Sequence, residues 1–216
     1  MASINLYPTF TYSQPKEYHF SHDSVFLARR AFEYLRENKI TVATALDLCA
    51  GCGVIGLDFL FHLRAEGMPV PRVFDFLEVQ DQYETHFKTN VTTLGVIETR
   101  LQFIKGNYGQ KLNSDLSTYY DLIVCNPPYF SKEQGKLPTS DLKLRSRFFI
   151  DSDLPSLIEF IYERLSPTGK AFVLIRNQLE HKQDQLAAVL GLCKEKLNIQ
   201  LMDDVRGTNV VLLSKI

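Results

Sequence analysis

The sequence predicts an α/β fold: a doubly wound, seven-stranded, mostly parallel sheet ending in a C-terminal antiparallel hairpin. Three observations predict it. Apolar runs of strand length alternate with runs of helical length, as βαβ units require. The run Asp121-Leu122-Ile123-Val124-Cys125 is wholly apolar after its first residue, as befits a parallel strand covered on both faces. A glycine turn, Gly51-Cys52-Gly53, joins the first apolar run to a helix that carries Gly56 in its first turn.

Taken in order, residues 1–22 show little periodicity and form an N-terminal segment with aromatics at Phe10, Tyr12, Tyr18 and Phe20. Residues 23–216 read as a single domain, in keeping with a chain of 216 residues. Ser21 or Asp23 caps a first helix whose apolar face is Val25, Phe26, Ala28, Phe32 and Leu35. A strand over 41–48 precedes the glycine turn, and a helix over 54–65 follows, stopped by Gly67 and Pro69. Next come a strand over 73–77, a helix over 81–94 closed by Gly95, and strands over 101–105 and 121–125. A long loop leads to a helix over 154–165. Ser166-Pro167-Thr168-Gly169 then turns into a strand over 171–175. A helix over 179–196 and strands over 199–202 and 210–213 complete the chain.

Composition sets limits. Hydrophobic residues make up 45% and charged residues 23%, ordinary for a globular domain. The net charge of -1 supplies no global pull toward nucleic acid, so such binding needs a local patch. No apolar run approaches the roughly 20 residues that span a bilayer. The first residues lack a charged region followed by an apolar core, so the expected location is cytoplasmic. Cys49 and Cys52 form C-x-x-C, but no second ligand pair has zinc spacing, so both read as small structural residues and no metal is expected.

The glycines supply G-x-G-x-x-G, which lets a ligand approach backbone amides at a helix start. Alone, that spacing reads as a dinucleotide site. Asp47 before the glycines can reach a ligand amine or hydroxyl. Glu78, 25 residues after Gly53, closes the next strand and can accept two ribose hydroxyls. In doubly wound sheets the ligand crevice lies beyond the carboxyl ends of the strands, where Cys49, Glu78, Asn107 and Asn126 all fall.

Asn126-Pro127-Pro128-Tyr129 follows the fourth strand directly. Read plainly, it is a Pro-Pro turn. Read as chemistry, it holds a planar amine whose lone pair must be localised before it can attack. The Asn126 side-chain oxygen and the Pro127 carbonyl would accept its two N–H bonds, and the prolines would stiffen the loop. Tyr129 would stack on a flipped base. The loop 130–149 carries Lys132, Lys136, Lys143, Arg145 and Arg147, either a phosphate-contacting patch or a solvated charged loop.

Asp47, Gly51 and Gly53 resemble the first motif of class I S-adenosylmethionine-dependent methyltransferases. That resemblance implies a Rossmann-like fold, an enzyme and S-adenosyl-L-methionine as cofactor. Asn-Pro-Pro-Tyr resembles the motif of amino-group methyltransferases, which act on adenine N6, guanine N2 or the glutamine side chain. Residues 14–28 are similar to the segment preceding the fold in bacterial tRNA adenine-N6 methyltransferases, which modify the adenosine beside the anticodon of a valine tRNA.

The resemblance implies that this segment covers the crevice, with Phe20, Ser21 and Asp23 on the cofactor, although Ser21 and Asp23 read equally well as a helix cap and a first-turn acid. It further places Asp47, Cys49, Gly51, Gly53, Glu78, Val79, Asn107 and Asn126 around the cofactor. Pro128, Tyr129, Lys143, Arg145 and Arg147 would face substrate. Asn107 stands where the wider class has an acid. The expected partner is RNA, tRNA favoured, with no membrane and a monomeric chain. The rivals are a release-factor glutamine methyltransferase, an rRNA guanine-N2 methyltransferase, and a non-catalytic binding module on the same fold.

Overall fold

A computed structural model describes residues 11–95, 98–110, 116–131, 137–177, 184–205 and 207–216. Seven strands form one sheet in the order β3-β2-β1-β4-β5-β7-β6. These are β1 Thr44–Leu48, β2 Val73–Glu78, β3 Arg100–Lys105, β4 Tyr120–Cys125, β5 Leu165–Ile175, β6 Leu197–Val205 and β7 Thr208–Lys215. β1 pairs in parallel with both β2 and β4, so the strand order reverses there, and β7 runs antiparallel to β5 and β6. The predicted architecture is the observed one.

The helices cover both faces. α1 (His22–Glu37), α2 (Val54–Ala65) and α3 (Tyr83–Leu94) share one face, where Ala45, Phe74, Leu122 and Val124 meet Leu27, Leu57 and Phe87. α5 (Leu154–Arg164) and α6 (Gln185–Cys193) cover the other, where Leu46, Leu48, Ile123 and Cys125 meet Leu157, Ile161 and Val189. Alternate residues of β1 and β4 therefore belong to opposite layers, the pattern expected for strands buried on both faces. No helix among the described residues is long and apolar enough to cross a membrane.

Two local readings change, and a third is described only in part. The predicted loop after β4 contains a helix, α4 (Asp141–Arg147), capped by Ser140 and burying only Leu142. With one buried side chain it has almost no periodic stripe to read, though the Ser140-Asp141 start is a capping signal. The predicted turn 166–169 lies within β5 as an irregularity: Tyr120 pairs with Leu165 while Leu122 already pairs with Lys170. The helix expected from 179 is described only over Gln185–Cys193, and residues 178–183 lie outside the described residues. Ser21 is the cap of α1, its side chain accepting from the Asp23 amide.

Candidate active site

The glycine turn is built from left-handed backbone. Cys49, Gly51 and Gly53 have φ of 60°, 52° and 81°. Gly53 caps α2 and donates to the Ala50 carbonyl at 2.8 Å. Asp47 is fully buried and accepts the Gly56 amide at 2.9 Å, which braces the start of α2 against the end of β1. Its second oxygen is buried without a hydrogen-bond partner among the described residues. Neither Asp47 nor Gly53 is among the residues lining the adjoining cleft.

Burial pushes the Asp47 carboxyl well above the ordinary carboxylate range, the Gly56 amide pulls it down, and nearby Glu78 raises it again. A raised folded-state value means that stability falls as pH climbs above the ordinary value of 3.8, until the folded group ionises. Asp47→Asn keeps an acceptor for Gly56 and removes this dependence. Its stability should exceed that of the parent by a margin that is near zero around pH 4 and grows with pH, at most by about 1.4 kcal/mol per pH unit. A margin independent of pH, read by calorimetry at several pH values, would exclude this account.

The cleft opens at the carboxyl ends of the strands and measures about 360 Å³. Cys49 and Gly51 from the turn, Glu78 at the end of β2 with Val79 after it, Asn107 after β3 and Asn126 through Tyr129 after β4 all line it. Glu78 is buried and accepts the Gly51 amide at 2.8 Å and the Gln80 amide at 3.0 Å, one on each oxygen. Burial raises its carboxyl above the usual range, opposed by these amides and by Arg145. A carboxylate has about four acceptor positions, so both oxygens retain capacity for ligand hydroxyls.

Asn107 is held on both ends: Nδ2 donates to the Asp151 carbonyl at 2.7 Å and Oδ1 accepts the Gly109 amide at 2.8 Å. Asp151 in turn takes a two-pronged contact from Arg145, at 2.9 and 2.7 Å. Arg145 thus lines the cleft as a paired group, whereas Arg147 lies over the Phe130 ring at 5.0 Å. Lys143 is not among the lining residues, and Lys132 and Lys136 lie outside the described residues.

Asn126 Nδ2 donates to Ser24 Oγ at 3.0 Å, and its Oδ1 accepts the Tyr129 hydroxyl. The loop after the motif is tied to α4: the amides of Tyr129 and Phe130 both donate to the Arg147 carbonyl at 3.0 Å, and the Tyr129 carbonyl accepts from buried Gln185. Burial raises the Tyr129 phenol further above its usual value, so it remains a neutral donor.

The N-terminal segment crosses the turn. Asn90, buried on α3, accepts the Ser13 amide at 2.7 Å and donates to the carbonyls of Ser13 and Cys52 at 3.0 and 2.9 Å. Tyr12 donates to buried Asp58 at 2.8 Å. Gln14, Tyr18, Phe20, Ser21 and Asp23 consequently line the cleft. Residues 1–10 lie outside the described residues.

Sequence reasoning did not single out Gln80, Tyr108, Asp151 or Arg176, which also line the cleft. Gln80 has a buried Oε1 with no partner among the described residues, a group suited to a ligand donor. Only its position two residues after Glu78 could have drawn attention to it. With the glycine backbone and Glu78, this open acceptor makes the cleft chemically suited to an adenosyl cofactor.

No family model matches the chain. It is 25% identical over 170 residues to the tRNA1(Val) (adenine(37)-N6)-methyltransferase of Shewanella sp. strain W3-18-1, covering 78% of this chain and 67% of that one. The chain is a methyltransferase. The methyltransferase is also 34% identical over 100 residues to the ribosomal protein uL3 glutamine methyltransferase of Bordetella pertussis, but this covers 46% of the chain and 30% of the relative. Among solved structures, a Streptococcus mutans protein in complex with SAH (S-adenosylhomocysteine) superposes with a TM-score of 0.57 at 16% identity, over 87% of this chain and 97% of that one. That likeness is one of fold.

Proposed function

We propose that this methyltransferase modifies the exocyclic N6 amine of an adenine in structured RNA, tRNA beside the anticodon being favoured. The observation that carries the reading is the placement of Asn126-Pro127-Pro128-Tyr129 at the carboxyl end of β4, opening into the cleft that Glu78 and the glycine turn share. The relation to a tRNA adenine-N6 enzyme over 78% of the chain supports adenine over other amines.

S-adenosylmethionine, when bound, supplies a methyl group already activated on a sulfonium. The chain's own residues then have to hold the cofactor and orient the amine. Glu78, Gln80 and the Gly51 backbone would hold the adenosyl part, with the strap residues Phe20 and Ser21 over it and Asn107 and Val79 beside it. Asn126 Oδ1 and the Pro127 carbonyl would accept the two amine N–H bonds and localise the lone pair. The target amine would have to displace the Tyr129 hydroxyl from Asn126 Oδ1. Pro128 and the Tyr129 ring would pack against the base. No dedicated base is needed, because alignment does most of the work.

Arg147 on Phe130 and Arg176, both lining the cleft beside Tyr129, make no ion pair among the described residues and would meet phosphates flanking the target. Paired Arg145 would instead shape the wall. A second reading, a glutamine side chain in a ribosomal protein, is favoured by the 34% identity to the uL3 enzyme over 100 residues and needs the same two acceptors. Under the RNA reading the enzyme acts as a cytoplasmic monomer. The test is transfer of labelled methyl into separate pools of unmodified tRNA, rRNA, DNA, ribosomal protein and release factor, followed by digestion. N6-methyladenosine from tRNA is expected. Label in a protein pool would keep the two-acceptor site and replace the substrate.

A further inference from the structure

The amide of Asn126 is held from an element 102 positions away in sequence. Its Nδ2 donates to Ser24 Oγ at 3.0 Å, and Ser24 is only 5% exposed. Ser24 lies in the first turn of α1, where its own amide donates to the Ser21 carbonyl at 3.1 Å. The next residue back, Asp23, is also buried, within 3.4 Å of the Thr208 hydroxyl on β7. The first turn of α1 is therefore anchored on the sheet side as well as to the strap.

A primary amide has two ends of nearly equal shape and opposite chemistry. Turned one way, Asn126 offers an acceptor to a target amine; turned the other way, it opposes N–H with N–H. Something must set the choice before substrate arrives, and an NH2 group at this half-buried position is costly without an acceptor. Oδ1 accepts from the Tyr129 hydroxyl, a contact the target amine replaces, so the partner that persists is Ser24.

We propose that Ser24 is a positioning residue: by accepting from Asn126 Nδ2 it keeps the donor end of the amide against α1 and leaves Oδ1 for the target amine. The assignment rests on the amino-transfer reading above. It also explains why α1 begins at the cleft. One helical turn carries Ser21 into the wall of the cleft and Ser24 against the amide, so the cover of the crevice and the orientation of Asn126 share a single rigid element.

The experiment compares the parent chain with Ser24→Thr and Ser24→Val, which match in shape and differ in the hydroxyl. Three quantities are read: kcat and KM for labelled methyl transfer into whichever pool the parent labels, SAH affinity by calorimetry, and melting temperature. Ser24→Thr should retain turnover. Ser24→Val should lose kcat on the order of 10- to 100-fold with SAH affinity unchanged. Equal kcat for the two variants would overturn the assignment. A parallel loss of SAH affinity would make Ser24 a cofactor contact and overturn it too. Ser24→Ala, free of overpacking, repeats the comparison should the valine variant melt early. A parent chain that binds SAH yet labels no pool would overturn the amino-transfer reading, and this assignment with it, as a separately recognisable result.

Discussion

Asn126→Ala should lower the rate of methyl transfer by roughly a hundred- to a thousandfold while SAH affinity stays within a few-fold of the parent, the scale seen when one preorganised polar contact to a reacting centre is removed. Alanine deletes the acceptor for the target amine but leaves Glu78, the Gly51 backbone and the strap untouched. It also leaves Ser24 Oγ and the Tyr129 hydroxyl without their shared partner. Tyr129→Phe separates these effects, because it retains a ring for stacking and removes only the hydroxyl that occupies Oδ1. Its loss should be much smaller than that of Asn126→Ala. Single-turnover transfer together with SAH calorimetry checks both. Turnover surviving in Asn126→Ala would rule out the two-acceptor mechanism.

Gly53→Ala should destabilise the fold and weaken cofactor binding together. Gly53 sits at φ 81° as the cap of α2, a conformation costing an L-residue about 1–2 kcal/mol. A Cβ there would also lie 2.7 Å from the Phe87 ring, itself packed on Phe76 with centroids 4.6 Å apart. Overpacking of this kind costs roughly 1–3 kcal/mol. A combined loss near 3 kcal/mol corresponds to a melting temperature lower by roughly 10 °C for a chain of this size. Because the turn amide of Gly51 holds Glu78, displacement of the turn should also weaken SAH. Thermal melting with and without SAH measures both; an unchanged melting temperature would exclude both the φ cost and the overpacking cost.

Much of this was legible in the order of residues. The glycine turn could be read because positive φ and close approach are demands on consecutive backbone. The two-sided burial of β4 could be read because its run is apolar after Asp121, whereas β1 carries Asp47. Asn126 to Tyr129 could be placed at the crevice because the tetrapeptide follows β4 directly. α4 escaped because seven residues with one buried side chain, Leu142, carry no stripe, and its charges resemble those of a loop.

The basic residues 143–147 show the limit most clearly. Their sequence states how much charge is present, not which charges are paired. The fold turns Arg145 onto Asp151, lays Arg147 on Phe130, leaves Lys143 off the cleft wall, and brings in Arg176 from the end of β5. Asp47 is similar: a carboxylate before a glycine turn is equally placed to meet a ligand or a helix start, and the 2.9 Å contact to Gly56 engages one oxygen at the helix. The succession of elements, the crevice and the motif's position follow from periodicity and local backbone requirements, which are written in neighbouring residues. The contacts of Ser24 with Asn126, Asn90 with Ser13 and Cys52, and Arg145 with Asp151 belong to tertiary structure alone, because a side chain takes its partner from the stacking of strands and helices that may lie a hundred positions apart.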